Sequence, residues 1–494
     1  DLRMSRGLGD VYKRQVLQVK KEKMTKKQLN IVYVYCRLPN MNESIFIKLR
    51  RMDMGTRLSI NDKIIILSNN LDGRWFAILN TYKLPHCRNV AVNINCISEY
   101  VGIKLGQALV PIIEVLSKNE KKETYNELPF HHLIFNTTYK CNLSCKYCYF
   151  SANSIGESID AKTIEHSIRK CLNYINDNAE LTVLFQGGEA LLEYDTIRDA
   201  LERLGEQPRI KYQIQTNGTL ITNDIMNFFE KHNFHVSFSL DSYVHEHNSL
   251  RSNRTQYFTD KMFDVCQMFQ ERNMDYGVIS VVCKNNIDDL VKMFHEFVKR
   301  GIHTFAYNLL WPIGRAETEN MDQSVVSTEK LVETLSAVYS EIYQYNIDCG
   351  YKPFEKFRER NLYMLWQRLF YRKLSNYMCM NTPCGAGVNT LTVDVNGEVY
   401  PCALMLPSLE SGFKIGNIYT DSISSLIQKD SIIKNRDLDL IAPCVSCVYR
   451  ATCSGGGCGI AFYHLEKNIN AVSLYCDYYH EILSFMIEHA MIKS

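Results

Sequence analysis

Three cysteines stand within eight residues, Cys141-Asn-Leu-Ser-Cys145-Lys-Tyr-Cys148, directly after an apolar stretch at 133–137 that reads as a strand. This spacing restricts the chain more than any other feature. Three thiolates so close together can wrap one corner of a cubane iron–sulfur cluster and leave its fourth iron without a protein ligand. A structural zinc site as a rule takes four protein ligands, so three cysteines favour iron–sulfur over zinc unless a distant residue completes the set. An iron without a protein ligand invites a substrate. The chain's 18 cysteines in 494 residues are too dilute for a disulfide scaffold of this length. With closely spaced thiols and no apolar signal-peptide segment, the expected compartment is the reducing cytoplasm.

At 46% hydrophobic and 22% charged, with 24 glycines and 11 prolines, the composition excludes collagen-like and wholly disordered classes. The sequence has no run of about 18 apolar residues that could span a membrane, so no membrane partner is expected. Net charge is +2, but residues 1–30 hold nine Lys/Arg against three Asp/Glu, which leaves the remainder at −4. Nucleic acid is therefore not an expected partner. Residues 1–15 lack any helical or strand period, and 10–15 reads like adapter-derived sequence. Residues 1–23 are accordingly set aside as an artefact or a disordered basic tail, with Met24 a plausible start.

Hydrophobic period divides the rest of the chain. Residues 30–116 read as a small α+β module, with apolar strands at 64–67 and 75–79 around the turn signal Asn70-Leu71-Asp72-Gly73 and helical character over 97–116. A charged linker at 117–127 leads into a second domain, 128–345, where strands and amphipathic helices alternate. Strands are expected at 133–137, 181–185, 212–215, 236–240, 277–282 and 304–309. Ile164, Ile168, Cys171, Leu172 and Ile175 recur at helical spacing, as do Ile287, Leu290, Val291, Phe294, Phe297 and Val298 before the stop signal Gly301. Six β-α units are too few for a closed eight-unit barrel. The predicted fold is α/β, a partial (β/α)6 TIM-type barrel with its chemistry at the carboxyl ends of the strands. Beyond 375 the period fades and cysteines multiply, so 375–480 reads as a cysteine-rich extension held by iron–sulfur centres instead of a large core.

The spacing Cys141-x3-Cys145-x2-Cys148, with Tyr147 before the last cysteine, resembles the signature of radical S-adenosylmethionine (SAM) enzymes. Further matches follow in order. Gln186-Gly187-Gly188-Glu189-Ala190 ends the second strand and resembles the Gly-Gly-Glu motif that meets the amino group of the cofactor's methionine, although the family usually has proline where Ala190 stands. Asn217-Gly218 follows the third strand. Ser237-Phe-Ser239-Leu-Asp241 ends the fourth, with His247 and Arg251 beyond it and Ser242 in place of a frequent glycine. The resemblance implies SAM contacts from Tyr147, Gly187, Gly188, Glu189, Asn217, Ser239 and Arg251. It also implies a [4Fe-4S] cluster on Cys141, Cys145 and Cys148.

The second cysteine group brackets Asp394-Val-Asn-Gly397-Glu-Val-Tyr-Pro401 and continues as Cys444-x2-Cys447-x5-Cys453-x4-Cys458, then Cys476. This resembles the SPASM extension of peptide-modifying radical enzymes, which houses two auxiliary [4Fe-4S] clusters. The family's interleaved connectivity implies Cys379, Cys384, Cys402 and Cys458 for the first and Cys444, Cys447, Cys453 and Cys476 for the second. One gap departs from the pattern: Ser454-Gly-Gly-Gly457 supplies four residues where the family usually has three. Read on spacing alone, Cys444, Cys447, Cys453 and Cys458 would also make a zinc knuckle. The other seven cysteines (Cys36, Cys87, Cys96, Cys171, Cys266, Cys283 and Cys349) need no special role, and no catalytic base is assigned among His131, His132, His245 and His247.

Asp72-Gly-Arg-Trp75-Phe-Ala-Ile-Leu-Asn80 resembles the strand of small winged-helix modules that bind precursor-peptide leaders by adding them to a sheet edge; a structural cap is the alternative. Together these resemblances imply a radical SAM peptide maturase forming a thioether or carbon–carbon crosslink, with a precursor peptide as substrate and a flavodoxin or ferredoxin as electron donor. Two rivals remain. Anaerobic sulfatase maturation is one, although that subgroup commonly has an aspartate base where this chain has Ala403. A non-catalytic, metal-stabilised peptide-binding adaptor is the other.

Overall fold

The computed structural model describes residues 130–371, 384–406 and 412–493, together with the backbone of seven strands between residues 16 and 92. Those seven make two antiparallel sheets. Val16–Val19, Ile31–Arg37 and Ser44–Arg50 form one; Trp75–Leu79, Ile64–Asn69, Thr56–Ile60 and Cys87–Val92 lie side by side in the other. Ile64–Asn69 and Trp75–Leu79 pair from Ile64 opposite Leu79 to Ser68 opposite Trp75. The helix expected at 97–116 lies outside the described residues, as does Cys379.

The central sheet follows the expected order. Six parallel strands, β1 (His132–Asn136), β2 (Leu181–Gln186), β3 (Ile210–Thr216), β4 (His235–Ser239), β5 (Tyr276–Val282) and β6 (Thr304–Leu309), pair in sequence, and the two-residue strand β7 (Arg358–Glu359) adds to the far edge. Helices α1 (Ala161–Tyr174), α2 (Tyr194–Leu204), α3 (Asn223–Lys231), α4 (Thr255–Glu271) and α5 (Leu290–Lys299) return the chain between strands. Several of their ends have a local cause. Asp160 caps α1 by accepting from the Thr163 amide at 2.8 Å, Thr222 does the same for α3, and Gly301 takes φ +71° just past α5. Ile164, Ile168, Cys171 and Leu172 are buried as the α1 stripe predicts, and Leu290, Phe294 and Phe297 as the α5 stripe predicts. Phe185, Phe234 and Phe238 are buried in the same continuous core.

Beyond β7, α7 (Arg360–Tyr371) follows α6 (Thr328–Asp348). The C-terminal extension then joins the barrel sheet. Strand β8 (Thr390–Val393) pairs parallel with β1, placing Thr390 opposite His132 and Val393 opposite Phe135. Antiparallel β9 (Glu398–Tyr400) and β10 (Gly416–Asn417) finish a ten-stranded sheet. The final helix, Cys476–Lys493, packs back on α6, anchored where Tyr478 and Tyr307 hydroxyls meet at 2.6 Å and Tyr475 donates to the Leu310 carbonyl. No helix among the described residues is long and apolar enough to cross a membrane.

Candidate functional site

The segment after β1 carries Cys141, Cys145 and Cys148 across the carboxyl ends of the parallel strands, where an open α/β sheet places its ligands. Backbone bonds hold this loop on every side. The Cys141 amide donates to Asn153 at 2.6 Å, Tyr139 to Glu157 at 3.0 Å and Lys146 to Leu250 at 2.8 Å. From beneath, Gly188 donates to the Thr138 carbonyl (2.8 Å) and Glu189 to that of Lys140 (2.9 Å). A Cβ on Gly188 would overlap the Lys140 carbonyl, and one on Gly187, at φ +149°, would come within 2.6 Å of that of Thr138. The glycine pair is thus needed because the cysteine loop itself lies against it.

Glu189 is 1% exposed and turns its carboxylate to the chain. It accepts from Thr216 Oγ1 at 2.5 Å, the Asn217 amide at 2.7 Å and the Leu191 amide at 2.9 Å, which fastens β2 to the end of β3. Burial nonetheless pushes its pKa up. Asn217 then reaches the loop, donating to Asn142 Oδ1 at 2.7 Å and lying 3.9 Å from Cys141 Sγ.

On the other flank Arg251 is buried with Asp241, at 3.1 Å from Nη2 to Oδ1 and 3.3 Å from Nε to Oδ2. Its guanidinium sits 5.3 Å over the Tyr147 ring, whose hydroxyl also donates to Asp241, while Nη1 lies 3.9 Å from Cys145 Sγ. Burial works against the charge of Arg251, but Asp241, Tyr147 and Cys145 together outweigh it and the guanidinium is held firmly protonated. Ser239 closes β4, half-buried, two residues before Asp241.

Two parts of the site carry no mark in the sequence. Asp241 is visible there only as the end of a strand motif, yet it is the anion that organises Arg251 and Tyr147. Gly314-Arg315, from the segment after β6, also clamps the loop: the Arg315 side chain donates to the carbonyls of Cys145 (2.9 Å) and Ala152, and its amide to that of Cys148 (2.9 Å). Gly314, at φ +63°, has room for no side chain because the Tyr149 carbonyl occupies that space. A lone Gly-Arg in a loop has no period or spacing that would single it out.

The auxiliary cysteines sort into two nests. Cys384, Cys402 and Cys458 share one small core cluster with Ala386, Met405 and Ile460. Cys444, Cys447, Cys453 and Cys476 line a cavity of about 370 Å³ closed by Tyr449, Ser473 and His480. Cys458 therefore falls away from the zinc-knuckle set, and Cys476 takes its place. Arg368 on α7 ties the second nest to the barrel, donating to Ala451 O at 3.1 Å and Ser454 Oγ at 2.7 Å.

The donor chemistry of all three places fits iron–sulfur clusters. No cysteine among the described residues is in a disulfide. Burial pushes the thiol of Cys141 up to about 11, Cys145 to about 12 and Cys384 to about 12, and Cys402 and Cys453 well above the ordinary range. Such groups become thiolates only against added positive charge, which cluster irons supply. Among the described residues no three His, Cys, Asp or Glu side chains converge on a single ion.

The family model for the radical SAM superfamily matches residues 135–297, and that for the SPASM iron–sulfur cluster-binding domain matches 384–448. A cysteine-type anaerobic sulfatase-maturating enzyme of Clostridium perfringens is 22% identical over 72% of this chain and 96% of its own. The antilisterial bacteriocin subtilosin biosynthesis protein AlbA of Bacillus subtilis is 25% identical over 63% of this chain and 62% of its own. Among solved structures, native anSMEcpe with bound AdoMet has a TM-score of 0.61 at 20% identity, covering 74% of this chain and 99% of that one. Streptococcus suis SuiB bound to precursor peptide SuiA has a TM-score of 0.53 at 17% identity, covering 85% and 99%.

Proposed function

Because the chain is a radical SAM enzyme with a SPASM iron–sulfur cluster-binding domain, we propose that it modifies a ribosomally made peptide, forming a thioether or carbon–carbon crosslink. Its cofactors are SAM and [4Fe-4S] clusters, which together supply a 5′-deoxyadenosyl radical able to take hydrogen from an unactivated carbon. Cys141, Cys145 and Cys148 hold the SAM-binding cluster at the strand ends. Asn217 and Ser239 contact the cofactor. Tyr147, Gly187, Gly188, Glu189 and Arg251 act by fixing the loop against which it binds. Cys379, Cys384, Cys402 and Cys458 hold one auxiliary cluster and Cys444, Cys447, Cys453 and Cys476 the other, sites able to accept the electron a substrate gives up. The protein's own work is to orient the cofactor and exclude water and oxygen. A flavodoxin or ferredoxin supplies electrons in the cytoplasm.

The observation that carries the peptide reading is Ala403. It packs in the apolar cluster of Phe150, Ala152, Tyr400 and Leu406, which also touches Cys141 and Cys148. A methyl group there cannot take the proton that formylglycine formation requires. The likeness to peptide-bound SuiB, which covers a larger share of this chain than the anSMEcpe likeness, supports the same reading. Sulfatase maturation stays as the second reading on the strength of the Clostridium perfringens relative. Anaerobic protein given SAM and reduced flavodoxin is expected to release 5′-deoxyadenosine and to remove two hydrogens from a short peptide encoded beside it. An unmodified peptide beside a sulfatase carrying new formylglycine would overturn the peptide reading.

A further inference from the structure

The four-residue gap Ser454-Gly-Gly-Gly457 is not accounted for by the cluster assignments, and a buried arginine lies against it. Arg436 is 5% exposed. Its Nη2 donates to the Gly455 carbonyl at 3.2 Å, and Nη1 to those of Ile469 and Ala471. Its Nε is buried without a hydrogen-bond partner, a costly state for a cationic donor unless an acceptor is supplied. The guanidinium lies 4.8 Å over the Phe462 ring.

Glycine makes room for it on both sides. A Cβ on Gly455, two residues past Cys453, would come within 3.0 Å of Nη2; one on Gly459, beside Cys458, would lie 2.6 Å from Cδ and 3.1 Å from Nε. Ser454 and all three glycines take positive φ, and Gly455 is one of the residues lining the second nest's cavity. Arg436 therefore stands between the two auxiliary nests; burial pulls its pKa down, and the charges of Cys444 and Cys453 in one nest and Cys458 and Cys384 in the other oppose that.

We propose that Arg436 is a positioning residue shared by both auxiliary sites, placing its guanidinium charge between them and favouring the reduced, more negative state of each. This rests on the assignment of clusters to the two nests. A one-electron reduction adds one negative charge within reach of a fixed cation in a water-poor interior, where Coulomb energies are larger than in solvent. Lysine would keep the charge but not the planar fork that the Gly455, Ile469 and Ala471 carbonyls hold.

The test is an anaerobic redox titration of the full-length, iron-reconstituted chain, followed by electron paramagnetic resonance. In Arg436→Met the reduced auxiliary clusters are expected to be at least tenfold less favoured, a downward shift of about 59 mV for a one-electron couple. Arg436→Lys should stay within threefold of wild type. If the Met variant loads iron poorly, Arg436→Gln, neutral but still a donor, serves the same titration. Potentials unmoved in a fully loaded neutral variant would overturn the proposal. Wild-type protein with about four irons per chain instead of about twelve would overturn it together with the cluster assignment.

Discussion

The two cysteine regions are built in opposite ways. The loop after β1 draws its three thiols from eight consecutive residues, with glycines, Glu189 and Arg315 bonding its backbone on several sides. The auxiliary nests gather cysteines from separate segments: Cys384, Cys402 and Cys458 meet in a small cluster of their own, and Cys476 comes to Cys444, Cys447 and Cys453 from the start of the final helix. A preformed loop presents ligands to a cluster; a gathered nest depends on the cluster to stay gathered. The two buried guanidiniums follow the same division. Arg251 is matched by Asp241, whereas Arg436 is held by backbone carbonyls and faces thiols.

Removing single cysteines should break the comparison most sharply. Cys141→Ala is expected to abolish 5′-deoxyadenosine formation while moving thermal stability by less than about 1 kcal/mol. Cys453→Ala should lose about four irons and make the segment around 440–475 an early site of proteolysis, with the barrel intact. Equal melting behaviour of the two variants would erase the distinction.

The next effect concerns the paired guanidinium. Arg251→Met leaves Asp241 buried without its cation and should cost roughly 3–5 kcal/mol in denaturant melts. A pH profile probes the barrel alone. Glu359, buried at the start of α7 and accepting from the Tyr307 and Leu362 amides at 3.1 and 2.7 Å, has its pKa pushed by burial up to about 7. The folded chain thus keeps this proton to higher pH than the unfolded chain. Stability should fall by about 3 kcal/mol as pH rises through the window from about 4.5 to about 7. Melts of iron-free protein check this, and Glu359→Gln should flatten the profile.

The smallest effect lies at the seam between the two regions. Asp394, beside β8, accepts from Asn136 Nδ2 at 2.7 Å and Tyr139 at 2.8 Å, linking the extension to the strand that launches the cysteine loop. Asp394→Asn should cost about 1–2 kcal/mol and loosen SAM binding, measurable by calorimetry.

Much of the barrel was legible because its signals are local. Strand positions at 181–185 and 304–309 match β2 and β6 to within a residue, since parallel strands buried on both faces appear as short apolar runs. The α1 and α5 stripes were visible in the 3.6-residue period. Gly187 and Gly188 were found, but their use was not: only the fold shows the cysteine loop lying against them. Arg315 and Arg436 carry no spacing signal, because each acts on residues far from it in the chain.

The sequence by itself determined the three-thiol loop, the order of six parallel strands and the presence of eight further cysteines suited to clusters. Tertiary structure alone decided that β8 extends the barrel sheet from β1, that the glycine pair Gly187-Gly188 lies beneath the cysteine loop, and that Arg436 stands between the two nests. The physical reason is range. Period and spacing arise from neighbours along one turn or one strand, whereas a buried charge finds its partners only after the chain has closed over it.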